Sequence, residues 1–133
     1  MRSDTRTVSI EAPAAKVLNF IADGHNLPKW AIGFARAITQ RNGDWIVTTG
    51  AGEMSVRIDR HQESGTVDFW ISPAAGVEVL AATRVLPRGA ASEFVFTQFQ
   101  APGVPDDEFA RNVQAVAHEL TVLKALMEVE CPL

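Results

Sequence analysis

Few of the residues able to carry chemistry stand where chemistry needs them. The three histidines, His25, His61 and His118, have no second ligand at metal-binding spacing, and Cys131 is the only cysteine. No metal site is therefore expected. Glu53, Asp59, Asp68 and Glu78 are carboxylates that spacing alone does not pair as acid and base. The chain has no Gly-x-Ser-x-Gly elbow, phosphate loop or dinucleotide fingerprint, so no cofactor is expected either. Cys131 has no assigned base and lies near the end of the sequence, which argues against a nucleophilic role. Two catalytic candidates remain, Arg84 and His25. An inward Arg84 guanidinium could hold a carboxylate or phenolate, or stabilise an enolate, through its rigid fork of donors. Alternatively, it pairs with an acid such as Glu119 or snorkels to the sheet rim. His25, just before Leu27-Pro28-Lys29-Trp30, is either a proton carrier at a cavity mouth or a solvated loop residue. Tyrosine is absent. Any polar contact in the interior must come from arginine, histidine, acid, amide, hydroxyl, indole or backbone groups.

Positioning these residues requires a particular order of elements. Thr5 to Glu11 alternates and predicts a strand. Pro13 suits the first turn of a helix whose apolar side is Val17, Leu18, Phe20 and Ile21. Asp23-Gly24 ends it with a residue free to turn left-handed. A second short helix is expected at Asn26-Leu27-Pro28-Lys29-Trp30, capped by Asn26. From Ala35 to Gln100, turn signals separate six antiparallel strands, and Asn42-Gly43 predicts a two-residue type I′ hairpin. Asp106 is then the expected N-cap of a helix from Asp107 to Val129, with Phe109, Val113, Val116, Leu120, Leu123 and Met127 as its apolar stripe. That helix would be roughly 34 Å long at 1.5 Å per residue, about the length of a ten-residue strand. It can lie across a whole sheet. A sheet burying such a stripe must curl around it, leaving an enclosed space near the mouth that the two short helices can close.

Pairing across the turns assigns the faces. With His61 opposite Thr66, Met54, Val56 and Ile58 share a face with Val67, Phe69 and Ile71. Arg57, Asp59, Asp68 and Trp70 then face water. Ser72 opposite Val77 would add Leu80, Ala82 and Arg84 to the inner face. Leu86 opposite Ala90 would add Ser92, Phe94 and Phe96. A one-residue slip at the Pro73–Gly76 loop would reverse the facing of Arg84. The candidate ligand-binding residues are Trp30, Trp45, Met54, Phe69, Arg84, Phe94, Phe96 and Leu120. Trp30 and Trp45 serve either as ligand contacts or as core.

Four phrases carry a family resemblance: Ile10-Glu11-Ala12-Pro13-Ala14-Ala15-Lys16-Val17, Asp23 through Trp30, Ala82-Thr83-Arg84-Val85, and Glu119-Leu120-Thr121-Val122-Leu123-Lys124. In these, and in its order of elements, the chain resembles the START/Bet v 1-like (SRPBCC) superfamily, in its polyketide cyclase/dehydrase-like bacterial branch. The resemblance implies an α+β helix-grip fold: a seven-stranded curved antiparallel sheet wrapped around a long C-terminal helix, with two short helices between strands 1 and 2. It also implies a hydrophobic cavity for a lipid, polyketide or aromatic molecule. Members range from carriers to cyclases, so fold alone does not assign the reaction.

Composition bounds what remains. The 133 residues fit a single domain, 1–133, and 47% hydrophobic with 21% charged residues gives a real core rather than disorder. No apolar run approaches the ~20 residues of a membrane helix, and the first residues lead into a strand with no signal-peptide stretch. Twelve basic against sixteen acidic residues, net −4, argue against nucleic acid or an anionic membrane as the main partner. A lone cysteine fits the reducing cytoplasm. The expected partner is a small hydrophobic ligand, with no nucleic acid and no membrane insertion, and an outward Trp70 leaves room for a homodimer. Three functions fit: a binder of such a ligand, a cyclase/dehydratase-like enzyme acting on it, or an interaction module with a filled core.

Overall fold

The computed structural model describes residues 2–129, so Cys131 lies outside the described residues. Strand β1 (Ser3–Ile10) leads into α1 (Ala14–Ala22), a 3-10 turn at Gly24–Asn26 and α2 (Leu27–Trp30). Six strands follow: β2 (Ala37–Arg41), β3 (Asp44–Thr49), β4 (Gly52–His61), β5 (Thr66–Ala74), β6 (Val77–Arg88) and β7 (Ala91–Phe99). Helix α3 (Asp106–Glu128) closes the chain. All seven strands form one antiparallel sheet in the order β1-β7-β6-β5-β4-β3-β2. This is the helix-grip architecture. Among the described residues, no helix is long and apolar enough to cross a membrane.

Local chemistry explains most of the boundaries, with three corrections. Asn42 and Gly43 both take positive φ, 52° and 87°, as a type I′ turn requires, and Arg41 pairs with Asp44 across it. Gly24, by contrast, is not left-handed. It is glycine because a Cβ there would lie 2.6 Å from the Trp45 ring. Asn26 does not cap α2 with its side chain but donates Nδ2 to the Phe20 carbonyl at 3.0 Å. Asp23 is the side-chain cap here, accepting from the His25 amide. Asp106 is already the first residue of α3, with Pro105 at the cap position. Its carboxylate accepts from Gln100 Nε2 at 2.9 Å and adds negative charge at the positive end of the helix dipole.

The register decides which side chains face inward. Pairs such as Val56–Ile71 and Ile58–Phe69 place the predicted faces of β4 and β5 together. The β5–β6 pair departs from expectation. An irregularity between Ile71 and Ala74 shifts the register by one, so Phe69 faces Ala81 and not Leu80. A bulge adds one residue to one strand, and one residue reverses every face beyond it. Ala81, Thr83 and Val85 therefore share the inner face with Phe69, while Leu80, Ala82 and Arg84 alternate to the outer one. The β6–β7 hairpin also differs, with Arg88 opposite Ala91 and Val85 opposite Phe94. The two deviations compensate, so Phe94 and Phe96 face inward although Arg84 does not.

Candidate functional site

Between the sheet and the N-terminal half of α3 lies a cavity of about 430 Å³. Its floor is the inner face of β4 to β7, and its cover is α2, the segment Ala31–Phe34 and α3. That volume falls within the ~300–1,000 Å³ range of small-molecule sites. Curvature explains its position. A straight helix crossing a curled sheet approaches it closely at one end and stands off at the other.

Four of the candidate ligand-binding residues, Trp30, Met54, Phe69 and Phe96, line this cavity. Trp30 is 2% exposed and is held by ring contacts with Phe94, Phe96 and Phe69 at centroid distances of 6.0, 6.5 and 6.4 Å. Three others do not line it. Phe94 is wholly buried and packs edge-on against Trp30. Leu120 is core, one residue past the helix stretch that reaches the cavity. Trp45 is half-buried beneath Gly24, with the His25 ring edge-on to it at 4.8 Å.

Both catalytic candidates lie elsewhere. Arg84 is exposed on the outer face, where its Nε donates to the Ser64 carbonyl at 3.1 Å. It neither enters the cavity nor pairs with Glu119. His25 is also outside, its side chain 67% exposed and its Nδ1 3.0 Å from Asp23 Oδ1. Neither Arg84 nor His25 lines the cavity.

The group the sequence reading did not single out for chemistry is Glu119. It is 3% exposed, lines the cavity and accepts a hydrogen bond from the Gly33 amide through Oε2 at 2.8 Å. Burial pushes its carboxyl up from 4.5 to about 7, against the Gly33 and Phe34 amides, which act to lower it. Its signal was present in the sequence. Three residues past Val116 and four before Leu123, Glu119 interrupts the apolar stripe of the long helix. Gln98 was also missed. It continues the inward alternation of Phe94 and Phe96 and lines the cavity.

On the opposite face of the sheet, ligand-bearing atoms of Asp59, His61 and Asp68 lie within 4.8 Å of one another. Spacing along the chain hid this grouping because the β4–β5 register creates it, with Asp59 directly opposite Asp68. His61 Nε2 stands 3.3 Å from Asp59 Oδ2. The trio faces solvent, as ordinary ion-paired strand positions do. Trp70, also outward, carries the Arg57 guanidinium over its ring at 5.3 Å.

Comparison with known proteins agrees with this geometry. No curated protein sequence matches the chain. Among solved structures it is similar to XoxI from Bacillus cereus, at TM-score 0.76 and 17% identity over 96% of each chain. It is also similar to a START superfamily protein from Mycobacterium smegmatis, at TM-score 0.68 and 12% identity over 95% of this chain and 97% of that one. A third is the Zhui aromatase/cyclase from Streptomyces sp. R1128, at TM-score 0.69 and 17% identity over 96% and 93%. At these identities the likeness shows the fold alone. The model of the polyketide cyclase/dehydrase and lipid transport family, however, matches residues 1–128. With nearly its whole length matched, this chain belongs to that family, within the START/Bet v 1-like superfamily.

Proposed function

We propose that the protein binds one small hydrophobic molecule, a lipid, polyketide or aromatic, between its sheet and the N-terminal half of α3. The observation that carries this reading is the mainly apolar cavity of about 430 Å³, set at the mouth of the fold beneath α2. Trp30, Met54, Phe69 and Phe96 form its contact surface. Phe94 supports that surface by packing against Trp30, Trp45 and Leu120 lie outside the lining, and Arg84 has no part in it. The net charge and the single cysteine suit a cytoplasmic binder working without a cofactor or metal.

The test is saturable uptake of N-phenyl-1-naphthylamine, read by its fluorescence, alongside native mass spectrometry of gently purified protein. We expect one probe per chain. Ala81→Trp, which fills the cavity floor beside Phe69, should weaken uptake by about tenfold or more. A bare protein mass combined with no probe uptake would remove the reading. The same spectrum reports whether the chain forms a homodimer.

One observation favours a second reading, a cyclase/dehydratase-like enzyme. Glu119 is a buried carboxyl with a pKa of about 7, the range in which one group can both give and take a proton. It would take the role that Arg84 and His25 are too far out to fill. Under this reading, ligands recovered from wild type and from Glu119→Gln differ by one water. Identical masses leave binding alone. An interaction module with a filled core is not favoured, since the core is open along half of α3 and Arg57 covers Trp70.

A further inference from the structure

One acidic side chain stands in the cavity wall without a counter-charge. Glu119 is 3% exposed, and the covering segment closes over one side of its carboxylate. Oε2 accepts from the Gly33 amide at 2.8 Å, and a Cβ at Gly33 would lie 3.2 Å from the same oxygen. The Phe34 amide, also near this carboxyl, donates to the Ala31 carbonyl at 3.0 Å. Oε1 differs. Among the described residues it accepts no side-chain or backbone hydrogen bond, yet it is not sealed from water. Only Trp30 Nε1 and Gln98 Nε2 are, among those residues, both buried and unpartnered. Glu119 lines the cavity and keeps almost no surface elsewhere, so Oε1 opens into the cavity.

Its surroundings offer that oxygen no cation. Among the described residues, no lysine, arginine or histidine lines the cavity. The other acid in the lining, Glu108, is exposed near the start of α3. Val116 from α3, Phe69 and Phe96 from the sheet and Trp30 from α2 bring no charge. A carboxylate in such a place is costly until a cation joins it. Burial accordingly holds the Glu119 carboxyl up at about 7, and a cation beside Oε1 would draw it back down. A neutral donor would satisfy the oxygen more weakly and leave its charge uncompensated.

Resting on the binding reading above, we propose that the cavity takes hydrophobic amines in their protonated form, with the ammonium group paired to Glu119 Oε1. The apolar body of the guest lies against Trp30, Phe69 and Phe96. The Gly33 amide holds Oε2 and so fixes the direction of Oε1.

Three naphthalenes of nearly equal size separate the parts of this proposal: 2-naphthylmethylamine, 2-naphthylmethanol and 2-ethylnaphthalene. Each competes with N-phenyl-1-naphthylamine for the full chain at pH 8, where the amine is charged and Glu119 is mostly ionised. The amine should bind about tenfold tighter than either neutral compound, the worth of one charge-assisted hydrogen bond. Glu119→Gln should abolish that advantage and leave ethylnaphthalene binding unaltered. In wild type labelled with 15N, the Gly33 amide signal follows the titration of the carboxylate to which it donates. Saturating amine should lower that midpoint by about one pH unit, the linkage counterpart of tenfold, and ethylnaphthalene should not.

Each contrary result overturns a different statement. Amine and ethyl compound binding equally overturns the preference for amines. The alcohol binding as tightly as the amine overturns the need for a positive charge. An unmoved Gly33 midpoint overturns the pairing with Glu119, whether or not Glu119→Gln folds. If none of the three binds, the cavity-binding reading itself fails.

Discussion

The two halves of α3 cover one sheet in different ways. Its C-terminal half puts Leu120, Leu123 and Met127 into the core, each 4% exposed or less. There α1 contributes Val17 and Ile21, and the sheet contributes Ile10 and Phe94, all fully buried. Polar contacts fasten this end. Lys16 Nζ donates to the Met127 carbonyl and Lys124 Nζ to the Ser9 carbonyl, both at 2.9 Å, and cations suit a helix C-terminus. The Glu128 carboxylate accepts from the Glu11 amide at 2.8 Å. Its pKa is lowered, chiefly by the side-chain hydrogen bond from Lys124. The N-terminal half instead turns Asn112, Ala115 and Val116 toward the cavity, small or polar where the other half is large and apolar. Glu119, at the border, ties the helix to the covering segment at Gly33. Packing thus stabilises one end, while the other keeps room for a guest.

The sharpest way to break this comparison is truncation at both ends. Leu123→Ala should cost about 2–5 kcal/mol, the usual range for a buried leucine. Met54→Ala, in the cavity wall, should cost under about 2 kcal/mol because the space beside it is already open. Urea denaturation checks both, and equal costs would mean that the cavity end is as tightly packed as the other.

The border residue predicts a pH dependence. Glu119 has a carboxyl pKa of about 7 when folded against 4.5 ordinarily, so between those values the folded chain holds a proton that the unfolded chain releases. Stability from this group is therefore fully present below about pH 4.5, falls as pH rises toward 7, and is level above. The nominal size is on the order of 3 kcal/mol. Glu119→Gln should remove the slope, and a difference between wild type and variant that does not vary with pH would contradict the burial of this carboxyl. The smallest effect is expected outside the comparison altogether. Arg84→Ala should stay within about 0.5 kcal/mol of wild type and leave probe uptake unaltered. A loss of uptake would return Arg84 to the site.

What could be read from the chain followed the reach of local rules. The Asn42-Gly43 hairpin, the alternation of β4 and β5 and the stripe of α3 depend on neighbours within a few residues, and each is present. Arg84 fails for a specific reason. Its facing depends on counting residues across two hairpins, and the irregularity between Ile71 and Ala74 alters that count without a turn motif to announce it. Phe94 and Phe96 face inward because a second difference, at the Gly89 turn, restores the count. Inward Phe94 and outward Arg84 therefore come from one pair of registers. Asp59, His61 and Asp68 are another case, since only strand pairing brings them together.

By itself, the sequence determined the order of elements, the single sheet and the long helix across it, because periodicity and turn chemistry act locally. It also limited the polar groups an interior could offer, and acid, amide and indole side chains line the cavity. Only the tertiary structure decided which acid and which indole those are. Glu119 became a buried carboxyl, and Trp30 a donor without a partner, when a curved sheet met a straight helix. The gap between them depends on how the whole sheet bends, which no short stretch of residues encodes.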